Sequence, residues 1–494
     1  MNATPNAPTA LGPPIAILGV PFDNVTTADT LRLIGEMIAS RQPHYLATAN
    51  VDFVVQAQTD PELRRILCDA HLVVADGMPL VWASRWLGNP LPERVTGSGL
   101  TPQLLALAAE QGWRVFFLGG TELSVEQARV NTLAKHPKLQ LGAYSPPFGR
   151  LVDAKTDDPM NHAEIQRRLR EARPDILLVA FGCPKQERWI YAHYRSLGVP
   201  VSIGVGATID FLAGTMRRAP VWMQKTGLEW IFRMLQEPRR LFRRYAVDLW
   251  VFGWAILGQL RQLRAGRAQR RLAAGTPSAP VKTASAWRVT LPARLDAAFT
   301  TANEAAWQQL LAQPAHLLVD AAVEFVDSTG VALLLRLQKG LREGRFQLVL
   351  VAASPALIQA LQLMKLAEFF LQAPDQTAAL KLTGGQGCGG AVLMNLDLAA
   401  QPVHLVWQGE VTAANLREIE ARTSSRLRQA RDPIFMIDLT ELRFIDTSGI
   451  GLMVKLQKQA ARQGVQLRFT APSATIRQIV SHLRMEEYLF GAPA

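Results

Sequence analysis

A chain of 494 residues is too long for one ordinary hydrophobic core, so two to four domains are expected. It is 49% hydrophobic and 19% charged, which excludes a largely disordered polypeptide, and its three cysteines (Cys68, Cys183, Cys388) have neither metal-ligand nor disulfide-framework spacing. The formal net charge of +12 is concentrated in one place: residues 217–271 hold thirteen Lys/Arg against three acidic residues, a net of +10.

Residues 1–14 are rich in Pro and Ala, with neither a basic start nor an apolar run, and read as a disordered N-terminus rather than a signal peptide or anchor. Residues 15–264 form the first expected domain. In it, strand-like runs such as Val115–Leu118, Ile176–Ala180 and Val201–Val205 alternate with helix-length segments. That pattern predicts a Rossmann-like α/β layer with a largely parallel sheet. Turn residues close these runs: Thr48-Ala49-Asn50, Ala75-Asp76-Gly77, Gly119-Gly120, the segment from Gly182 to Glu187, and Gly204 with Gly206. Glycines after strands let the backbone approach a diphosphate, and the free amides of the following helix stabilise its charge. This edge of the sheet is therefore where a nucleotide-like ligand is expected. Lys185 and Glu187 fit either a functional pair or an exposed ion pair.

Residues 217–264 read as a helical basic appendage interleaved with Trp222, Trp230, Phe232, Phe242, Trp250, Phe252 and Trp254. Basic and aromatic residues together fit an anionic membrane surface; the rival readings are single-stranded nucleic acid and plain helix packing. The first is preferred, so no nucleic-acid partner is expected. No stretch reaches the ~18–20 apolar residues that cross a bilayer. The longest, Tyr245–Leu260, is interrupted by Asp248, so attachment should be peripheral.

Residues 265–285 are small, polar and Pro-containing and read as a linker. Two copies of one pattern follow, FVDSTGVALLLRLQKG from Phe325 and FIDTSGIGLMVKLQKQ from Phe444, 119 residues apart. They place small α/β domains at 286–383 and 391–494, joined by the glycine-rich 384–390. Such connections suggest independent modules.

The first domain resembles the WecG/TagA/CpsF glycosyltransferases, glycosyltransferase family 26. The resemblance runs through TANVDF (Thr48–Phe53), ADGMPLVWASR (Ala75–Arg85), ERVTGS (Glu93–Ser98), FGCPKQERWI (Phe181–Ile190), GVGATIDFLAGTMRRAP (Gly204–Pro220) and GLEWIFRMLQEPRRLFRR (Gly227–Arg244). It implies an inverting transfer, from a UDP-sugar to an undecaprenyl-diphosphate-linked saccharide, in cell-surface polysaccharide or exopolysaccharide synthesis. The sugar would be N-acetylmannosamine, its uronic acid or glucose, and the enzyme would sit on the inner face of the bacterial plasma membrane. By the resemblance, Asp76 is the general base. Thr48 and Asn50 contact donor or acceptor beside Gly77, Gly119, Gly120, Gly204 and Gly206, and Arg94 and Gln186 help bind the donor or leaving diphosphate. Arg217, Arg218, Arg233, Arg239, Arg240, Arg243 and Arg244 belong to the membrane-docking or diphosphate-closing appendage. The family usually has Asp where this chain has Gly99. No Asp-Xaa-Asp occurs, so the expected site uses neither a metal nor another cofactor, and the UDP-sugar is a substrate. Arginines and helix amides could replace a metal electrostatically.

The repeated Asp-[Ser/Thr]-[Ser/Thr]-Gly turns, at Asp327 and Asp446, resemble STAS domains such as anti-sigma-factor antagonists. That resemblance implies a protein partner, a kinase or a polysaccharide-assembly protein, with Thr329 or Ser448 as phosphate acceptor; the alternative is a helix-capping hydroxyl. The competing functional class is a non-catalytic membrane scaffold acting through these domains.

Overall fold

The computed structural model describes residues 11–146, 162–220, 222–223, 229–236, 238–265, 280–282, 286–312, 315–344, 346–384, 393–397, 403–429 and 433–491. Most of both expected linkers lies outside them. The N-terminal domain opens with a hairpin of β1 (Gly12–Ile17) and β2 (Val20–Asn24), so strand structure begins inside the segment expected as a tail. It continues as α1 (Thr27–Ser40), β3 (His44–Ala49), α2 (Val51–Ala57), α3 (Pro61–Asp69), β4 (Leu72–Ala75), α4 (Met78–Leu87) and α5 (Gly97–Gln111). Then come β5 (Arg114–Gly119), α6 (Glu122–Lys135), β6 (Gln140–Tyr144), α7 (His162–Ala172), β7 (Ile176–Ala180), α8 (Lys185–His193), β8 (Val201–Gly204) and α9 (Thr208–Ala213). The appendage supplies α10 (Glu229–Gln236) and α11 (Pro238–Ala265).

β3 to β8 form one parallel sheet in the order β4-β3-β8-β7-β5-β6. Its central strands are buried on both faces, as near-continuous apolar runs in parallel sheets require. One face packs against α2, α3, α8 and α11 through Phe53, Ile66, Trp189 and Phe252, and the other against α1, α5 and α6 through Ile34, Leu104 and Val125. Helix starts are set locally. Thr26 and Asp29 form a reciprocal capping box at α1, and Asp60 caps α3 with Pro61 in its first turn.

α11 carries two faces. Asp248, Phe252, Ile256, Gln259 and Leu263 turn inward at helical spacing, while Val247, Trp250, Trp254 and Leu257 stay exposed. Among the described residues, no helix is long and apolar enough to cross a membrane.

The middle domain comprises β9 (Val281–Lys282), β10 (Ala286–Thr290), β11 (Arg294–Leu295), α12 (Ala297–Ala302), α13 (Glu304–Leu311), β12 (His316–Asp320), β13 (Phe325–Val326), α14 (Ser328–Glu343), β14 (Leu348–Val351), α15 (Pro355–Leu363), β15 (Leu371–Ala373) and α16 (Gln376–Gly384). The C-terminal domain has β16 (Leu393–Asp397), β17 (Val403–Val411), α17 (Leu416–Gln429), β18 (Ile434–Asp438), β19 (Leu442–Ile445), α18 (Thr447–Arg462), β20 (Gln466–Thr470), α19 (Ala474–His482) and α20 (Glu486–Phe490). Their sheets run β15-β14-β12-β10-β9 and β16-β17-β18-β20, so the sequence repeat is a structural one. In both, the turn aspartate is the helix cap: Asp327 accepts from the Thr329 and Gly330 amides, and Asp446 from that of Gly449. The hydroxyl residues that follow are helical and do not cap. Each glycine is sterically required, because a Cβ would lie 2.4 Å from the Leu295 carbonyl at Gly330 and 2.9 Å from the Val411 carbonyl at Gly449.

The three domains are not separate beads. Ala16 and Cys68 sit in the middle domain's core, and Phe325 sits in that of the N-terminal domain. Gln259 donates to the Ser328 hydroxyl (2.8 Å) and to the Ala16 carbonyl (2.9 Å), and accepts from the Leu18 amide (3.1 Å). Asn89 donates to Thr329 Oγ1 at 3.1 Å. A buried ionic knot joins all three: Arg65 pairs with Asp69 and Glu410 (2.7 and 2.8 Å), and Arg342 with Asp69 (2.9 Å). The two guanidinium groups overcome burial and hold Asp69 and Glu410 down near about 2.

Candidate functional site

The C-terminal ends of β3, β4, β7 and β8 open into a cavity of about 280 Å³. Thr48, Asn50, Asp76, Gly77, Arg94, Gln186, Gly206 and Arg244 of the expected residues line it. The first turns of α4, α5 and α8 also reach it, through Met78 and Pro79, Ser98, and Gln186, so the positive ends of three helix dipoles meet at this end of the sheet.

Asp76 is half-buried at the end of β4. Its amide donates to the Ala49 carbonyl (2.8 Å), and its Oδ2 accepts from the Gly97 amide (3.2 Å). The Val95 amide donates to the Ala75 carbonyl (3.0 Å), which draws the loop carrying Arg94 along the edge of β4. Arg94 itself reaches Glu229 of α10 at 3.2 Å. Thr48 is buried and donates to the Gly204 carbonyl (3.0 Å), and Asn50 caps α2 while facing the cavity.

Gln186 is a brace. Its Oε1 accepts from the amides of Gly182 (3.2 Å) and Gly206 (3.1 Å), tying together the loops after β7 and β8. Its Nε2 donates to Glu187 Oε1 at 2.7 Å. Glu187 is 4% exposed, whereas Lys185 is on the surface, so they form no exposed pair. Gly204 makes room beneath: a Cβ there would lie 2.6 Å from Gln186 Nε2 and 2.8 Å from Glu187 Oε1. It therefore packs against the brace and does not line the cavity. Gly119 and Gly120 end β5 outside the lining; at Gly119, φ is +104° and a Cβ would meet the Ala180 carbonyl at 2.7 Å, so glycine there serves strand packing.

The appendage supplies one wall, and of its arginines expected at the membrane or over the diphosphate, Arg244 lines the cavity. Arg244 donates through both Nε and Nη2 to the Asp52 carboxylate and lies 3.8 Å from Asp248. Burial, with Asp52 adding repulsion, pushes Asp248 up to about 6. Trp230, Tyr245 and Leu249 complete this side. Asp248 follows Arg244 by one helical turn, a spacing visible in the sequence; the pairing of Arg244 with Asp52 is not, because those two residues lie on different helices. Arg218 is half-buried 3.9 Å from Glu229. A Cβ at Gly99 would lie 3.5 Å from the Arg218 guanidinium, so an aspartate there would face that arginine. Arg217 and Arg243 are exposed outside the lining, and the side chains of Arg233, Arg239 and Arg240 lie outside the described residues. Thr329 is 1% exposed in the domain interface and Ser448 is half-buried.

α4 packs beside α11, and both leave tryptophans on the surface: Trp82 and Trp86 from the first, Trp250 and Trp254 from the second. Only the second pair lies within the basic, aromatic segment 217–264.

Known proteins resemble parts of this chain. N-acetylglucosaminyldiphosphoundecaprenol N-acetyl-beta-D-mannosaminyltransferases of Staphylococcus aureus strains MW2 and NCTC 8325 / PS 47 are each 30% identical over 240 residues, covering 48% of this chain and 91% of theirs. A solved anti-sigma-factor antagonist (STAS) domain protein from Planctomyces limnophilus aligns with 22% of this chain and 97% of its own, at 22% identity and a TM-score of 0.20. The model of the Mlab, STAS domain family matches residues 278–384 and 394–491, one match for each repeat. With residues 15–266 matching the family model, the chain belongs to the WecG/TagA/CpsF glycosyltransferase family and carries two STAS domains behind its transferase domain.

Proposed function

We propose that this enzyme transfers N-acetylmannosamine, with inversion, from its UDP donor to an undecaprenyl-diphosphate-linked N-acetylglucosamine, working peripherally on the inner membrane face. The observation that carries this reading is the convergence of Asp76, Thr48, Asn50 and Arg94 on one cavity bordered by three helix N-termini. Asp76 takes the proton from the acceptor hydroxyl as it attacks the anomeric carbon, and the Gly97 amide orients the carboxylate. Helix amides, with Arg94, Arg218 and Arg244, offset the charge of the departing diphosphate. Gln186 acts by holding the two glycine loops in place. The exposed tryptophans of α4 and α11, with Arg217 and Arg243, lie against lipid, which brings a lipid-linked acceptor to the cavity mouth.

The test is transfer from UDP-N-acetylmannosamine, its uronic acid and UDP-glucose to a short lipid-diphosphate N-acetylglucosamine acceptor, with vesicles present. The first donor should be used best. Asp76→Asn should lower the rate by about 10²–10⁴-fold and leave UDP affinity unchanged. Activity within about threefold of wild type removes Asp76 as the base; failure to bind UDP or use any donor would favour a scaffold.

A further inference from the structure

In the second STAS domain, the turn before α18 faces the chain's own transferase domain. The Thr447 amide and hydroxyl both donate to Glu62 Oε1, at 2.6 and 2.7 Å. Glu62 lies in the first turn of α3 and is only 2% exposed. Its Oε2 lies 3.1 Å from Nε of Arg188 on α8, and Nη2 of Arg188 donates to Asp60 at 2.6 Å. Arg188 stands two residues from Gln186, the brace of the pocket. α18 packs directly on α8 and α19 on α3, and Gln478 donates to the Thr59 carbonyl at 2.6 Å.

We propose that this turn is a docking surface for the transferase domain of the same chain, and that Glu62 and Arg188 are positioning residues through which the seated STAS domain sets the Gln186 brace. The seat is acidic: Glu62 lies beside both Asp60 and Asp446, and Arg188 bridges Glu62 and Asp60. A neutral hydroxyl donor at 447 is what such a seat accepts. A carboxylate there would meet Glu62 in a water-poor contact and draw Arg188 out of line, loosening the start of α8. The first STAS domain differs, because Thr329 and Ser328 are buried in an interface that shares its apolar core with the transferase domain. What the pocket binds rests on the function proposed above; the seat does not.

Hydrogen exchange on the full chain tests this, with UDP calorimetry alongside. In Thr447→Asp, amides of residues 442–450, the start of α3 and residues 182–188 should exchange faster, and the UDP Kd should rise about three- to thirtyfold. Thr447→Ser should match wild type. Glu62→Gln keeps an acceptor for Thr447 but weakens the Arg188 pair, so it should protect the turn and still loosen 182–188; it decides the matter if Thr447→Asp does not fold. Unchanged exchange at 442–450 in Thr447→Asp overturns the seat. An opened seat with 182–188 and UDP affinity unchanged overturns the coupling. Should wild type bind no UDP, the pocket reading fails while the exchange results still decide this proposal.

Discussion

Replacing Glu187 by glutamine should remove a pH-dependent weakness from the fold. Glu187 lies beneath the pocket, 4% exposed, and burial pushes its carboxyl from 4.5 up to about 8, with Asp52 adding repulsion. In the unfolded chain it ionises near 4.5; in the native chain it keeps its proton to about 8. The native state therefore binds more protons between those values, and stability falls as pH rises. The contribution is fully present below about 4.5 and lost as pH passes about 8. At about 1.36 kcal/mol per pKa unit the loss is about 3–5 kcal/mol. Glutamine retains the oxygen that accepts from Gln186 and does not titrate. Urea denaturation of the full chain should thus show the variant gaining on wild type by that amount between about pH 5 and about pH 8.5. Asp446, raised to about 7, and Asp327, raised to about 6, titrate in both proteins and cancel in the difference. Parallel stability curves, within about 0.5 kcal/mol, would refute a neutral buried Glu187.

Gln259→Leu should lower stability by about 2–4 kcal/mol, because it strips hydrogen bonds from the Leu18 amide, the Ala16 carbonyl and the Ser328 hydroxyl; a loss below about 1 kcal/mol in a thermal melt argues against that junction. Trp250→Ala with Trp254→Ala should weaken sedimentation with anionic vesicles, and salt should weaken wild-type binding, each basic residue near the surface contributing about 1 kcal/mol. Binding that ignores salt and needs detergent would contradict a peripheral face. Ending the chain after Ala265 uncovers Ala16, Cys68, Arg65 and Asp69, so the fragment should aggregate on expression; a soluble fragment with a cooperative melt would show the STAS contacts to be dispensable.

Strand runs closed by glycine turns were legible because secondary structure is local: VVADG fixes both β4 and the place of Asp76 at its end. The internal repeat was legible for the same reason, since Asp327 and Asp446 cap their own helices and Gly330 and Gly449 must lack a Cβ. Which glycines face the cavity was not. Gly204 and Gly119 carry the same turn signature as Gly206, yet the first makes room for Gln186 and Glu187 and the second for a neighbouring strand's carbonyl. Nor could the composition of 265–285 and 384–390 reveal docked domains, because the pairings of Arg65 with Glu410 and Glu62 with Thr447 join residues hundreds of positions apart. Asp248, in sequence only a charge interrupting an apolar run, becomes part of the cavity wall once α11 turns that face toward Asp52. The sequence by itself determined which short segments become strands, caps and turns, since those depend on neighbours along the chain. Tertiary structure alone decided which polar groups are buried together, because burial and pairing depend on what other segments bring within a few ångströms.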